Sequence, residues 1–423
     1  MSKNTVVQLR NPGADEDLLS TMLREGAQRL VAHAVKAELE QYLCAFAPDE
    51  DRRLPVVRNG FQPERQILTG VGPVNVCIPK VRSRTETSAV FHSQLVPPYV
   101  RRAKSLDTAL PWLYLHGVST GDMKEALSAL LGKDAAGLSA PVVARLKRRW
   151  TEEYKLWSRS SLRKERWVYL WADGIYSGLR AEDARLCALV VIGVNERGQK
   201  RFLAIEDGVR ESTQSWQELL LGLKARGLSL PPKLAVGDGA LGFWAALGKI
   251  FPQTTQQRCW VHKTVNVLNY LPRTLQPKAK AALHDIWMAS TKTDANKAFD
   301  QFLTVYSAKY PKATECLAKD RAAMLAFYEF PAEHWIHIRS TNVIESAFAT
   351  IRHRTDRTKG CLTRDGMLAM IFKLSLGAQK SWQRLRGFDH LAKLIKGSTF
   401  RDGIEVTSTA RNQPHARQNR IAA

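Results

Sequence analysis

The stretch from residue 166 to 262 limits the possible folds most strongly, because strand-like and helix-like segments alternate there in one order. Three hydrophobic runs, RWVYLWADGIYSGLR, ARLCALVVIGVNERG and KRFLAIEDGV, are separated by short polar stretches. A helical pattern (SWQELLLGLKARGL), a short apolar run (KLAVGDG), a second helix (LGFWAALGKIF) and a last strand-like run (TTQQRCWVHK) follow. The order βββαβαβ predicts an α/β domain with a mixed sheet and helices on its faces.

This element order is that of the ribonuclease H-like fold, so we expect the sheet domain to be divided along the chain. Its first part would cover residues 166–262. Residues 263–333 show helical periodicity without a strand signal, which predicts an all-helical insertion. The sheet domain would resume over 334–396, and 397–423 read as a polar tail that we expect to be disordered.

The region before the sheet domain is mainly helical and divides into three parts. Residues 1–48 carry an amphipathic helical pattern, and 49–104 contain a predicted β-hairpin around Gly-Val-Gly-Pro with a basic exit. Residues 105–165 predict two helices joined by a Gly-containing turn, the first starting at Ser119 or Thr120 and the second after Ser139. Such a pair is either a helix-turn-helix for DNA binding or a plain helical linker.

Two aspartates end predicted strands of the sheet domain. Asp173 follows the run from Trp167 to Trp171, and Asp238 follows LAVG. Each Asp-Gly pair, taken alone, favours a simple turn over a metal ligand. Together, in this strand order and in a basic protein, they favour binding of divalent cations, because ligands gather at strand ends and hard cations prefer carboxylate oxygens.

A glutamate in STNVIESAFATIRHR is the third candidate ligand. Ile344, Phe348 and Ile351 form the apolar stripe of a predicted helix, and Glu345 lies on another face together with Arg352. Glu345 could therefore reach the two aspartates while Arg352 reaches a phosphate. Alternatively, Glu345 closes a capping box with Asn342. Spacing alone does not separate the two interpretations.

Cys259 and His262 form a C-x-x-H pair near the end of the last predicted strand. A zinc site would need two further ligands, and the available His284 and His334 lie far away in sequence. We therefore expect this pair to pack against the acid site, or His262 to contact the scissile phosphate as part of the catalytic set.

The charge of the chain indicates a polyanionic partner. Lys plus Arg number 63 against 40 for Asp plus Glu, giving a formal net charge of +23. A basic metabolic enzyme remains the less favoured interpretation, because so large an excess attracts nucleic acid. Three basic clusters are candidate DNA-backbone contacts, although each could be a solvated surface. They are Lys80, Arg82 and Arg84; Arg145, Lys147, Arg148 and Arg149; and Arg352, Arg354, Arg357 and Lys359.

Cysteine spacing and apolar runs bear on the compartment. The six cysteines form no CxxC pair, which fits a reducing compartment rather than a disulfide framework. The first residues lack the apolar core of a secretory leader, and no run of about 18 apolar residues predicts a membrane span. We expect a cytoplasmic protein associated with the nucleoid.

The ordered motifs resemble the IS256 family of bacterial insertion-sequence transposases, which are related to the Mutator elements. The likeness runs from about residue 50 to 385 and is carried by RQILTGVGPVNVCIPKVR, YLHGVSTGDMKEALSALLG, ADGIYSGLR, ESTQSWQELLLGLKARGL, GDGALGF, FPQTTQQRCWVHK and STNVIESAFATIRHR. Each motif is weak alone, whereas the ordered set is specific.

The resemblance implies a ribonuclease H-like catalytic domain with an all-helical insertion. It implies that Asp173, Asp238 and Glu345 form a DDE triad that holds Mg²⁺ or Mn²⁺, with Cys259 and His262 as the accompanying signature. It also implies binding of terminal inverted repeats and target DNA, DNA strand cleavage and transfer, and a homodimer on DNA.

One departure keeps other functions open. Asp238 is followed by Gly239-Ala240, where the family often has Gly-His. A catalytically inactive repressor of transposase descent is therefore the alternative function. A nuclease for structured DNA that uses the same fold is a further one, because a fold alone does not fix function.

Overall fold

The computed structural model describes residues 18–46, 55–84, 89–132, 135, 137–179, 182–239, 241–357 and 363–406. The described residues divide into two compact units, which meet in sequence at Ala144 and Arg145. This boundary falls inside the region that the sequence assigns to 105–165. None of the described helices is long and apolar enough to cross a membrane.

The first unit combines helices with two small β pairs. Apolar residues at helical and alternating spacing pack together in its core, where Val35 and Leu39 of the first helix contact Ile67 and Val76 of the predicted hairpin. The elements are α1 (Leu18–Cys44), β1 (Val56–Phe61), β2 (Arg65–Thr69), β3 (Gly72–Val76), β4 (Pro79–Ser83), α2 (Lys104–Leu115) and α3 (Thr120–Leu131). β2 and β3 form the predicted antiparallel hairpin, and β1 pairs with β4.

The predicted helix starts near residues 119 and 139 are confirmed. Ser119 caps α3 because its hydroxyl accepts a hydrogen bond from the backbone N–H of Asp122 at 3.1 Å. Gly132 ends α3 at φ +99°, a backbone conformation that favours glycine. The next helix, α4 (Ala140–Ser158), starts directly after Ser139 and continues into the second unit.

A mixed five-stranded sheet forms the centre of the second unit. Its strands are β5 (Trp167–Leu179), β6 (Glu182–Asn195), β7 (Lys200–Gly208), β8 (Leu234–Gly237) and β9 (Thr255–Arg258). They lie in the order β7-β6-β5-β8-β9. β5, β6 and β7 are antiparallel neighbours, whereas β8 and β9 run parallel to β5. The predicted βββαβαβ order and mixed sheet are confirmed.

Side chains alternate between the two faces of β5, so that each face packs against different helices. Leu170 and Ala172 lie in a core with α5 (Thr213–Arg226) and α6 (Leu241–Ile250). On the other face, the Tyr169 hydroxyl hydrogen-bonds to His334, and the Trp171 indole donates to the His337 carbonyl. The fully buried aromatic rings of β5 fix this strand between two helical layers.

The remainder of the second unit is almost wholly helical, as predicted for 263–333. The elements are α7 (Trp260–Leu268), α8 (Gln276–Met288), α9 (Lys292–Tyr306), α10 (Pro311–Ala318), α11 (Arg321–Met324), α12 (Trp335–Ile338), α13 (Asn342–Arg357), α14 (Arg364–Gln379) and α15 (His390–Ile395). Short 3₁₀ turns lie at Ala326–Glu329 and Ala332–His334. α13 packs against β5 and α14 against β7, so the chain returns to the sheet after the helical stretch.

The expectation of a disordered tail from residue 397 is wrong for its first ten residues. β10 (Phe400–Arg401) and β11 (Ile404–Glu405) form a small antiparallel pair. Phe400 is buried, and the Gly403 amide donates to the Tyr328 carbonyl at 3.3 Å. One apolar anchor thus orders a segment whose composition is polar. Residues 407–423 lie outside the described part.

Candidate metal centre

Two neighbouring parallel strands bring Asp173 and Asp238 together. Ala172 of β5 pairs with Gly237 of β8, so the next residue on each strand is an aspartate. Adjacent strands lie about 4.8 Å apart, which places the two carboxylates within reach of a shared cation. The predicted strand-end position is confirmed for Asp238, which directly follows β8, but it is wrong for Asp173. β5 continues to Leu179 because its pairing with β6 extends past Asp173, so this acid lies within the strand beside the end of β8.

The carboxylate of Asp173 is buried and lies in a negative environment. Its side chain is 8% exposed and accepts a hydrogen bond from the Gly174 amide at 2.8 Å. Burial, with the nearby charges of Asp238 and Glu211, raises the pKa of Asp173 to about 7, against the lowering effects of the Gly174 amide and of His262. Such a group retains its charge at low energetic cost only beside a cation.

The turn after Asp238 depends on glycine. Gly239 has a φ of +122°, and a Cβ there would overlap the guanidinium of Arg258. Arg258 donates to the Asp238 carbonyl at 3.3 Å and forms an ion pair with Asp320 at 2.8 Å. The last residue of β9 therefore holds the loop that carries Asp238.

The N-terminus of α13 brings Glu345 to this sheet edge. The Thr341 hydroxyl donates a hydrogen bond to Glu345 Oε1 at 2.9 Å, and the Glu345 amide donates to the Thr341 carbonyl at 3.1 Å. Because α13 begins at Asn342, that residue lies inside the helix and the predicted capping box with Asn342 is not formed. Ile344, Phe348 and Ile351 are buried, as the apolar stripe predicts.

Cys259 and His262 lie at the start of α7 rather than in a strand. β9 ends at Arg258, and Cys259 occupies the N-cap position of α7. The spacing of three therefore follows a helical turn and places both side chains on one side. Thr341 joins them to α13: its hydroxyl lies 3.3 Å from Cys259 Sγ and 3.3 Å from His262 Nδ1.

His262 adds a positive charge beside the three acids. Its Nε2 lies 3.7 Å from Glu345 Oε1. The hydrogen bond with Cys259, supported by the charges of Cys259, Asp173 and Glu345, raises the pKa of His262 to about 9 despite partial burial. Burial alone would raise the pKa of Cys259, but hydrogen bonds from His262 and Thr341 outweigh it and lower that pKa. His262 is thus an imidazolium at neutral pH.

The two histidines considered for a zinc site lie in other environments. Both ring nitrogens of His334 are occupied, by the Tyr169 hydroxyl at 2.7 Å and the Gly387 carbonyl at 2.8 Å. His284 packs edge-on against Trp287. Ligand atoms of Cys259, His262 and Glu345 do lie within 4.8 Å of one another, but neither distant histidine completes a tetrahedral set with them.

Sequence reasoning missed a fourth acid, Glu211. It lies between β7 and α5, immediately before Ser212, whose hydroxyl caps α5. Burial and the charge of Asp238 raise the pKa of Glu211, against the hydrogen bond from Tyr176 and the charge of His262. Its position in ESTQSW, directly before a helix N-cap, was the available signal, but no local pattern shows that this loop reaches the acid site.

The donor set fits hard divalent cations. Asp173, Asp238 and Glu345 offer carboxylate oxygens, the ligand type that Mg²⁺ and Mn²⁺ prefer. A buried Glu211 oxygen without a hydrogen-bond partner lies in the same region, and the raised pKa of Asp173 reflects first its burial and then repulsion from Asp238. Asp173, Asp238 and Glu345 would hold the cations, which would relieve that repulsion.

The first basic cluster forms one face of a strand pair. Lys80 and Arg82 alternate along β4, and both are exposed together with Arg84. Arg58 on the paired strand β1 is exposed as well, but it pairs with Val81 and so lies on the opposite face. In α4, Arg145, Arg148 and Arg149 are exposed, Lys147 is half-buried, and Arg149 pairs with Glu153 at 3.0 Å.

The third basic cluster is only partly on the surface. Arg352 is exposed, and its guanidinium lies over the Phe348 ring at 5.7 Å from the centroid. Arg354 is buried, with 3% of its surface exposed, so it does not share that surface. Arg357 is the last residue of α13, and Lys359 lies outside the described residues. DNA contact by these clusters stays a prediction.

Comparison with known proteins identifies the family. The family model for transposases of the Mutator family matches residues 2–384 of this chain. The chain belongs to the Mutator family of transposases. This supports the broader part of the resemblance seen in the sequence.

Several insertion-sequence transposases are similar over most of their length. The transposase of element IST2 from Acidithiobacillus ferrooxidans is 52% identical over 68% of this chain and 97% of its own. The transposase of element IS6120 from Mycolicibacterium smegmatis is 45% identical over 70% of this chain and 92% of its own. A Drosophila P element transposase strand transfer complex matches at 11% identity and a TM-score of 0.29, over 73% of this chain and 86% of that one.

Proposed function

We propose that this insertion-sequence transposase is a DDE enzyme of the IS256 family, which cleaves and joins DNA at the ends of its element. The observation that carries the proposal is that adjacent strands place Asp173 beside Asp238, while His262 interacts with both Asp173 and Glu345 from a distant segment. Asp173 lies within β5 beside the end of the parallel strand β8, which Asp238 follows, and Thr341 holds Glu345 on α13 beside His262. A fold that needed these acids only for turns would not gather them at one sheet edge.

We assign the sheet domain to the ribonuclease H-like fold. The support is the strand order β7-β6-β5-β8-β9, in which three antiparallel strands are extended by two parallel ones. Helices cover both faces, and the helical segment between Asp238 and Glu345 corresponds to the insertion expected from the resemblance.

Asp173, Asp238 and Glu345 would bind Mg²⁺ or Mn²⁺ at this edge. When bound, a pair of such cations activates the attacking hydroxyl and stabilises charge on the leaving oxygen. The attacking oxygen, from water or a DNA 3′-hydroxyl, forms a bond to phosphorus as the bond to the leaving oxygen breaks. No covalent protein–DNA intermediate is needed.

His262 holds the scissile phosphate in this scheme. Its raised pKa keeps the imidazole protonated at neutral pH, so a ring N–H can donate to a phosphate oxygen. Cys259 and Thr341 fix the ring orientation from the Nδ1 side. Nε2, which faces Glu345, is then the atom directed to the site.

The DNA would be held by the basic surfaces of both units. The candidates are the exposed cations of β4 and α4 and, beside the acids, Arg352 of α13. The net charge of +23 favours binding to the backbone of terminal repeats and target DNA. We further propose a homodimer that brings two element ends together, acting on the bacterial nucleoid in the cytoplasm.

An excision assay with the element's own terminal repeats tests the function. Wild-type protein should produce excised junctions or circles, whereas Asp238→Ala should bind the repeats and produce none. Asp285→Ala, which removes an exposed carboxylate from α8, should behave as the wild type. Cleavage by Asp238→Ala would contradict the metal assignment. Binding without cleavage by every variant would favour the inactive repressor instead.

A further inference from the structure

Glu211 reaches the acid site from a segment that the three proposed ligands do not use. A Cβ at Gly174 would lie 2.7 Å from Glu211 Oε1 and 2.8 Å from its Cδ. The Glu211 carboxylate therefore rests on the bare α-carbon of the residue that follows Asp173. A methyl group at position 174 would displace the carboxylate from this place.

The backbone of Glu211 is fixed near the other aspartate. A Cβ at Gly242 would overlap the Glu211 carbonyl, so the first turn of α6 packs against this loop. α6 starts three residues after Asp238. The segments that follow both aspartates thus hold Glu211 between them.

The two oxygens of Glu211 differ in their surroundings. The Tyr176 hydroxyl hydrogen-bonds to the carboxylate. Oε2 is buried and has no hydrogen-bond partner. A buried carboxylate oxygen without a partner costs stability, unless a donor or cation binds it.

Glu211 and Glu345 approach the end of β8, beside the middle of β5, from opposite faces of the sheet. Leu170 and Ala172 of β5 face α5 and α6, so Gly174 lies on the same face by alternation. Asp173 lies on the face of Tyr169 and Trp171, against which α13 packs. An ion beyond the end of β8, between Asp173 and Asp238, would have Glu345 on one side and Glu211 on the other.

We propose that Glu211 is a fourth carboxylate ligand of the metal centre, binding through Oε2 while Tyr176 holds the other oxygen. This inference rests on the proposed function. Gly174 gives Glu211 its access, and Glu211 fixes the cation between the two faces of the sheet.

Calorimetric titration of the full chain with Mn²⁺ alone, without DNA, tests the inference. Glu211→Gln keeps the shape and the Tyr176 contact, and it should lower Mn²⁺ affinity by about tenfold or more. Gly174→Ala should lower it as well, because the methyl group displaces the Glu211 carboxylate while every acid remains. Glu218→Gln, an exposed position on α5, should leave the affinity unchanged.

Asp238→Ala separates this inference from the proposed function. If Asp238→Ala abolishes Mn²⁺ binding while Glu211→Gln binds as the wild type does, Glu211 is not a ligand and the three-acid site stands. If Asp238→Ala also binds normally, the metal site itself is misassigned and the inference falls with it. An equal loss of affinity in Glu218→Gln would attribute the effect to net charge and overturn the inference too.

Discussion

Replacing Asp173 with asparagine should stabilise the metal-free protein while removing a metal ligand. The pKa of Asp173 rises from 3.8 to about 7 on folding, chiefly because the carboxyl is buried and secondly because Asp238 is near. The folded state then binds more protons than the unfolded one over this range. The stabilising contribution of protonated Asp173 is therefore fully present below pH 3.8, and it is lost as the pH rises towards 7.

The size of the effect follows from the shift. Each pKa unit corresponds to about 1.4 kcal/mol, so ionising Asp173 in the folded state costs up to about 4 kcal/mol above pH 7. Asparagine has no charge to bury and can still accept the Gly174 amide hydrogen bond. The free energy of unfolding of Asp173→Asn should therefore exceed that of the wild type by about 1–3 kcal/mol at pH 8, and by a smaller amount at pH 5.

Urea denaturation with a chelator present, at pH 5 and pH 8, measures this difference. Asp285→Asn, which neutralises an exposed acid on α8, is the matched control and should change stability little at either pH. Adding Mn²⁺ at pH 8 should stabilise the wild type but not Asp173→Asn, because only the wild type binds it. A variant no more stable than the wild type at pH 8, or an advantage equal at both pH values, would refute the reasoning.

Three further outcomes follow from the structure. Thr341→Val should fold but cleave DNA about 10- to 100-fold more slowly, because it loses the hydroxyl that positions Glu345. Thr341→Ser keeps a hydroxyl and should retain activity. Normal cleavage by the valine variant would rule out the positioning role of Thr341. Gly239→Ala should lower the free energy of unfolding by about 2 kcal/mol or more, because the residue has a positive φ and a methyl group would overlap Arg258. Gly248→Ala is the control, because this position in α6 has open space around it and should tolerate the change. Equal melting curves for the two variants would contradict the prediction. Replacing Arg148 and Arg149 together by alanine should reduce the salt dependence of DNA binding by about two counterions, and an unchanged slope would remove α4 from the interface.

Local patterns determined much of the fold. Hydrophobic runs bounded by polar stretches located the strands of the sheet, and capping residues located the starts of α3 and α4 near Ser119 and Ser139. Asp238 could be placed at a strand end because a polar residue that ends an apolar run, followed by glycine, is a local signal. The same signal was wrong for Asp173, because β5 continues to Leu179. The family resemblance likewise rests on short ordered motifs that are visible without coordinates.

Tertiary structure decided which side chains meet. Glu211 and Thr341 carry no local signal for the acid site, because each reaches it through contacts with residues far away in sequence. The same holds for the burial of Arg354 and for the anchoring of the β10–β11 pair by Phe400. Periodicity reports the face on which a side chain lies, whereas its partner across the fold depends on register and packing, which only the three-dimensional arrangement determines.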